Sequence, residues 1–207
     1  MLPDTCKDIS YYVGVGLGQA RGRSIIATLK KSNWETGERN RYDFSRRMFT
    51  RLEVCQLDQF ELGTPYSDVG ARAAQISRNQ AISGNVTFIV NATGEGSPFV
   101  SLLHRQNLGV CRILAVSITG ADAEVHQNNC YYVPQRALLS AVLRSFEAGN
   151  LVVSAALPGS GQLLDEISAI RAQFVADGSQ ALQGNESDIL PAVALANWRA
   201  RKFNFFS

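Results

Sequence analysis

Two short stretches decide the fold of this chain: Tyr12–Gln19, which reads YVGVGLGQ, and Phe88–Gly96, which reads FIVNATGEG. Each begins with apolar and β-branched residues that favour a buried strand, and each continues into glycines that favour a turn. The residue at the passage from strand to turn is Gly16 in the first stretch and Asn91 in the second. Neither of these two positions carries a charge.

The hydrophobic pattern around these stretches predicts five strands and one shorter β-like run, Leu151–Ser154. The five strands are Tyr11–Leu17, Ser24–Lys31, Arg39–Arg51, Asn85–Val90 and Val110–Ile118. The third alternates with a period of two, which predicts a half-buried strand with Tyr42, Phe44 and Met48 pointing inward. Asn33–Glu38, which contains a glycine, is interpreted as the hairpin connection before it.

Helices are predicted between the later strands and after them. Thr64-Pro65 and Ser97-Pro98 are typical helix starts, because a hydroxyl can cap the helix and proline suits its first position. Pro134–Ala148, a segment marked by apolar residues from Leu163 to Phe174, and Asp188–Arg201 complete the set. The least ordered stretches are expected at Ala121–Asn129 and Ala176–Glu186.

The connections between these elements predict the topology. Short turns join strands 1–3, which should therefore be antiparallel, whereas helical crossovers lead to strands 4 and 5, which should be parallel. The expected fold class is α/β, with a mixed five-stranded sheet and helices on both faces. One domain is expected over 1–207, with its core at about 11–200.

Composition excludes several functional classes. The chain has 207 residues, 45% hydrophobic and 18% charged, with a net charge of +2. A net charge this close to zero does not by itself indicate binding to nucleic acid. Any contact with DNA must therefore come from local clusters of basic residues. Met1–Ser10 is polar and does not resemble a secretory leader, and no apolar run reaches the roughly 18 residues of a membrane span. We therefore expect a cytoplasmic protein with no membrane partner.

The spacing of cysteines and histidines in the sequence does not indicate a metal, redox or catalytic site. Four cysteines, Cys6, Cys55, Cys111 and Cys130, show no CxxC spacing, which argues against zinc and redox sites. His104 falls in a predicted helix and His126 in a predicted loop, so a histidine pair would depend on the fold bringing them together.

Five ordered phrases carry a resemblance to a known family. They are GLGQA at 16–20, LGTPY at 62–66, NATGEG at 91–96, ITG at 118–120 and SDILPAVALANW at 187–198. In this order they resemble the nuclease domain of phage terminase large subunits, whose pattern reads roughly GxDLGQ, VDATGxG and HDDLVxAxALA. The resemblance spans about residues 11–200, and it implies a bacterial host with a prophage as one source of the gene. It implies a ribonuclease H-like fold, which agrees with the layout predicted from periodicity.

The resemblance also implies where a catalytic site would lie. A two-metal nuclease needs several carboxylates around two Mg²⁺ ions about 3.5–4 Å apart. The family's acidic positions match Gly16, Asn91 and Asp188 here, and only Asp188 is an acid. No catalytic residue is therefore assigned and no cofactor is expected, with Mg²⁺ or Mn²⁺ required for any residual nuclease activity. Glu95 and Glu186 are the acids that could substitute, and Arg21 and Arg23 stand near the place of a further family acid.

Each of these positions also has a purely structural interpretation. Gly16 could permit close packing, Asn91 could cap the turn at Thr93-Gly94, and Asp188 could be a helix N-cap. Gly14, Gly16 and Gly18 do not fit G-x-G-x-x-G, and no Walker A sequence occurs, so the sequence contains no packaging ATPase motif.

Arginines provide the remaining functional signal. Arg39, Arg41 and Arg47 fall on the predicted third strand, where they could follow phosphates or simply form a solvated face. The favoured hypothesis is a degenerate, catalytically inactive terminase nuclease-like protein that binds DNA or packaging proteins. The alternatives are a weak metal-dependent DNA endonuclease with relocated acids, and a structural remnant that serves a protein partner or self-association.

Overall fold

A computed structural model describes residues 5–18, 22–39, 46–82, 84–94, 96–176 and 189–202, without the side chains of 47, 175 and 176. Eight strands and five helices are found in these ranges. The strands are β1 (Thr5–Gly16), β2 (Ile25–Arg39), β3 (Arg46–Gln59), β4 (Val86–Asn91), β5 (Cys111–Thr119), β6 (Val125–Gln127), β7 (Cys130–Pro134) and β8 (Leu151–Val153). The helices are α1 (Tyr66–Arg78), α2 (Gly96–Arg105), α3 (Gln135–Glu147), α4 (Ser160–Ala176) and α5 (Leu190–Lys202).

All eight strands form one mixed sheet in the order β6-β7-β5-β4-β1-β2-β3-β8. β1, β2 and β3 pair antiparallel, and β1, β4 and β5 pair parallel. These directions confirm the predicted α/β class and the ribonuclease H-like layout of the five central strands. The three additional strands are short: β8 extends the sheet beside β3, and the β6–β7 hairpin extends it beside β5.

Helices cover both faces of the sheet, as predicted. Alternation along β1 sends Tyr12 to one face and Val13 and Val15 to the other. The face that includes Tyr12 packs against α3, α4 and α5, and the opposite face packs against α1 and α2. α5 is buried over almost its whole length, because helices α3 and α4 lie over the side that turns away from the sheet. No helix in the described ranges is long and apolar enough to cross a membrane.

The β2–β3 hairpin differs from the prediction. Asn33–Glu38 was predicted as a connection, but it belongs to β2, and Trp34 lies opposite Phe49 with their rings stacked at 6.2 Å. Cross-strand contacts of this kind outweigh the turn preference of a single glycine. The residues that join the two strands, 40–45, lie outside the described residues, as do Tyr42 and Phe44.

Three charged side chains hold the strands together near the loop end of this hairpin. Glu35 forms ion pairs with Lys7 of β1, at 2.6 Å, and with Arg46 of β3. The hydrogen bond from Lys7, reinforced by Arg46, keeps the pKa of Glu35 below its ordinary value. Met48, predicted to point inward, is 38% exposed because this part of the sheet extends past the helices that cover its centre.

Candidate functional site

Gly16 and Asn91 lie side by side at one edge of the sheet. The parallel register of β1 and β4 pairs Val15 with Val90, and Gly16 and Asn91 are the next residues on each strand. Each is also the last residue of its strand. The carboxyl ends of parallel strands meet at a common edge, where open α/β sheets bind ligands. The structure therefore brings together two of the positions where the resemblance implies acids.

Helix α5 reaches the same edge and packs directly on β1. A Cβ atom added to Gly14 would lie 1.9 Å from the carbonyl oxygen of Ala192, so only glycine permits this approach. Among the described residues, a Cβ added to Gly16 would meet the Cβ of Ala192 alone, at 3.9 Å, which is an ordinary contact. The close-packing role considered for Gly16 thus belongs to Gly14, and the described neighbours of Gly16 leave room for a side chain.

The Asn91 side chain is used by the turn that follows β4. Its Oδ1 accepts a hydrogen bond from the backbone N–H of Thr93 at 3.1 Å, and Gly94 has a φ of +61°. The Thr93 hydroxyl accepts a hydrogen bond from the N–H of Ile118 at 3.0 Å, which ties the turn to β5. The turn-capping interpretation of Asn91 is therefore seen directly, and the amide supplies no charge to the site.

The acids that sequence reasoning proposed as ligands lie outside the described residues: Asp188, Glu95 and Glu186, together with Arg21. Arg23 is described, and its guanidinium lies 3.4 Å from a carboxylate oxygen of Glu61. Within the described ranges, no group of three or more His, Cys, Asp or Glu side chains is placed to hold a metal ion. The metal assignments for Asp188, Glu95 and Glu186 therefore stay predictions.

A carboxylate that the sequence analysis missed lies at the start of α5. Glu166 of α4 accepts hydrogen bonds from the backbone N–H groups of Ile189, at 3.2 Å, and Leu190, at 2.8 Å. It thereby satisfies two N–H groups that a helix start leaves without partners inside the helix, and it favours the helix dipole. No local sequence signal could reveal this contact, because 23 and 24 residues separate the partners.

The two histidines are closer than their sequence positions suggest. His104 of α2 and His126 of β6 both line a cavity of 740 Å³ between α2, β5 and the β6–β7 hairpin. His126 stacks on Tyr131 with ring centres 4.1 Å apart. Serine and asparagine side chains provide most of the other polar groups, and no Asp, Glu, Lys or Arg of the described residues lines the cavity. Among the described residues, the cavity therefore offers two imidazoles and no carboxylate to orient either of them.

The predicted row of arginines on a single strand is wrong in its geometry. Arg39 ends β2 and lies opposite Arg46, whereas Arg47 belongs to β3. Arg41 and the side chain of Arg47 are outside the described residues. Because β2 extends eight residues further than predicted, Arg39 is displaced onto the neighbouring strand. A role of Arg39, Arg41 and Arg47 in DNA binding stays a prediction. Its structural basis is now the β2–β3 hairpin and no longer a row on one strand.

Comparisons with known proteins give a distant structural likeness. No family model matches the chain, and no curated protein matches it. Among solved structures, the human cytomegalovirus terminase nuclease domain matches with a TM-score of 0.47 and 16% sequence identity, over 92% of this chain and 82% of that one.

Proposed function

We propose that this chain is a terminase nuclease-like protein that has kept a ribonuclease H-like scaffold and lost two-metal catalysis. In this proposal it binds DNA or takes part in DNA packaging without cutting DNA. The observation that carries the proposal is the position of Gly16 and Asn91 at the carboxyl ends of β1 and β4, directly after the Val15–Val90 pair. These are adjacent positions at the edge where a metal site would form, and neither supplies a carboxylate.

The charge balance of a two-metal site supports the loss of catalysis. Two Mg²⁺ ions bring four positive charges into a small space and require hard, mostly anionic oxygen ligands. Gly16 has no side chain, and the Asn91 oxygen already accepts the N–H of Thr93. Asp188 is then the only acid left at a position that matches the family pattern. One carboxylate does not balance two divalent cations.

A nuclease assay tests the loss of catalysis. Supercoiled plasmid incubated with the protein and either Mg²⁺ or Mn²⁺ should show no nicking above the level seen with EDTA. Reproducible metal-dependent nicking that Asp188→Ala abolishes would reject the proposal. Comparing Glu95→Gln with Glu186→Gln would then identify the relocated acid in the alternative endonuclease.

The arginines at the end of the β2–β3 hairpin support the DNA-binding part of the proposal. Replacing Arg39, Arg41 and Arg47 with alanine should weaken binding to DNA of any sequence and reduce the salt slope by about one unit per lost phosphate contact. Fluorescence anisotropy over a series of salt concentrations measures both quantities. Equal binding by the wild type and the triple variant would instead favour a solvated face and a structural role.

A further inference from the structure

A second cavity lies on the α5 face of the sheet, far from Gly16. It has a volume of 720 Å³, and its walls come from Met48, Thr50 and Leu52 of β3, the C-terminal part of α3, and Arg201 near the end of α5. Ala192, which contacts Gly16, precedes Arg201 by nine residues, or about 13 Å along a helix axis. This cavity is therefore separate from the candidate site described above.

Two arginines from different helices line the cavity. Arg201 donates from its Nη1 to the carbonyl oxygen of Ala141, at 3.0 Å, and to the hydroxyl of Ser145, at 3.3 Å. Both bonds use one nitrogen, and no described residue accepts a hydrogen bond from the Nε or Nη2 donors of this guanidinium. Arg144 donates to the hydroxyl of Ser140 at 3.4 Å. The two helices thus position a pair of forked hydrogen-bond donors at the same opening.

These two arginines have no carboxylate within ion-pair distance among the described residues. Six ion pairs are present in the same ranges, and neither arginine takes part in one: the pairs are Lys7–Glu35, Arg23–Glu61, Arg46–Glu35, Arg72–Asp58, Arg171–Glu147 and Lys202–Glu124. Burial, and then the positive charge of Arg144, keep the pKa of Arg201 below its ordinary value. An anion bound between the two guanidiniums would relieve this repulsion.

We propose that the cavity formed by β3, α3 and α5, named here the Arg144–Arg201 pocket, binds a phosphate group. Guanidinium forks match the oxygen spacing of phosphate, and the side-chain amide of the neighbouring Asn150 adds a donor for a tetrahedral anion with several oxygens. The volume falls within the range of about 300–1,000 Å³ that is usual for small-ligand sites. Met48 and Leu52 add an apolar wall against which a sugar or base attached to that phosphate can pack.

The position of the pocket suggests one source of the phosphate. β3 runs from Arg46 to the pocket residues Met48 and Thr50, at roughly 7 Å for every second residue. A single strand of nucleic acid with one phosphate in the pocket would continue toward Arg39 and Arg46 at the end of the hairpin. This nucleic-acid source depends on the proposed function, whereas the phosphate site itself does not.

Binding to three probes tests the inference: inorganic phosphate, pyrophosphate and a short fluorescent single-stranded oligonucleotide. The wild type should bind at least one of them, measured by thermal stabilisation for the first two and by anisotropy for the third. Arg144→Gln with Arg201→Gln should weaken that binding at least about tenfold, because two charge-assisted contacts are lost. Arg105→Gln with Arg112→Gln is the matched control, since it removes the same charge from exposed positions elsewhere and should leave binding unchanged.

The outcomes separate the pocket from the proposed function. Binding of phosphate or pyrophosphate that only the pocket variant loses supports the site, even where the oligonucleotide does not bind and the DNA-binding role fails. Equal binding by the pocket variant and the matched control, or no binding of any probe by the wild type, overturns the inference. If loss of the Arg201 contacts to α3 unfolds the double variant, Arg144→Gln alone applies the same test, because its one described contact is with Ser140.

Discussion

Gly14 and Gly16 share a face of β1 but have different surroundings beneath α5. The backbone of α5 occupies the place where a Cβ of Gly14 would lie, whereas a Cβ of Gly16 would meet, among the described residues, only the methyl group of Ala192. The GVG sequence therefore combines a glycine required by packing with a glycine that packing does not require. This difference can be tested without reference to function.

We predict that Gly14→Ala and Gly16→Ala change stability in different directions. Gly14→Ala should lower the free energy of unfolding by roughly 1–3 kcal/mol, because α5 must move away from the sheet. Gly16→Ala should leave it unchanged or raise it by up to about 1 kcal/mol, because alanine restricts the unfolded chain. Urea unfolding of the two variants measures both values. A loss of stability in Gly16→Ala equal to that in Gly14→Ala would contradict the prediction.

The space at Gly16 leads to a second prediction, the partial restoration of a metal site. Gly16→Asp with Asn91→Asp places two carboxylates on adjacent strand ends, and an aspartate at 91 can still accept the Thr93 N–H. Calorimetry should detect Mn²⁺ binding by this variant and none by the natural sequence, because carboxylates supply the hard anionic oxygens such cations prefer.

The control for this experiment is Gly16→Asn, which adds a side chain of the same shape without charge and keeps Asn91. It should bind no Mn²⁺. If the double aspartate variant also shows no binding while remaining folded, the strand ends are not arranged for a metal, or the neighbouring Arg21 and Arg23 repel it.

At the scale of secondary structure elements, α5 depends on a contact from another helix at its start. Glu166→Gln removes a charge that accepts two backbone N–H groups of α5, so we expect a loss of about 1 kcal/mol. For a chain of this length that loss corresponds to a fall in melting temperature of about 2–4 °C. Glu147→Gln is the matched control, because its ion pair with Arg171 is exposed and should contribute little. An equal melting temperature for Glu166→Gln and the wild type would show that Glu166 does not stabilise α5.

The elements that sequence could predict are those with strong local signals. The apolar runs of β4 and β5 and the proline-marked starts of α1 and α2 were placed within one or two residues. The β2–β3 hairpin was misplaced because its extension depends on cross-strand partners such as Trp34 and Phe49, which a local pattern does not show. β6 was expected in one of the least ordered stretches, and a strand of three exposed residues has no hydrophobic periodicity to read.

The residues of the candidate site divide in the same way, into those with a local sequence signal and those that depend on tertiary packing. The adjacency of Gly16 and Asn91 could be predicted, because both end strands that belong to one parallel pair. Three other features could not be predicted from the sequence: the contact of Glu166 with the start of α5, the shared cavity of His104 and His126, and the convergence of Arg144 with Arg201. Each of these depends on how two elements pack, and packing brings together residues that no sequence spacing relates.

At the scale of the whole molecule, a buried lysine joins the sheet to the end of α5. Lys31 of β2 is 1% exposed, and its Nζ donates to the carbonyl oxygen of Ala200 at 2.8 Å. Such a contact satisfies a carbonyl at the helix end and favours the helix dipole. Burial lowers the pKa of Lys31 below its ordinary value, although the negative charge of Asp8 acts in the opposite direction.

This burial predicts a pH dependence of stability. Between the lowered pKa of folded Lys31 and its ordinary value of 10.5, the unfolded chain binds more protons than the folded chain, so the contribution of Lys31 to stability rises with pH across that interval. Lys31→Met removes this contribution. Urea unfolding at a series of alkaline pH values should therefore show a more positive slope of unfolding free energy against pH for the wild type than for the variant.

Cys55 and Cys111, whose thiol pKa values are raised by burial, act in the opposite direction but are common to both proteins, so the difference isolates Lys31. Identical slopes would mean that Lys31 keeps its ordinary pKa in the folded chain.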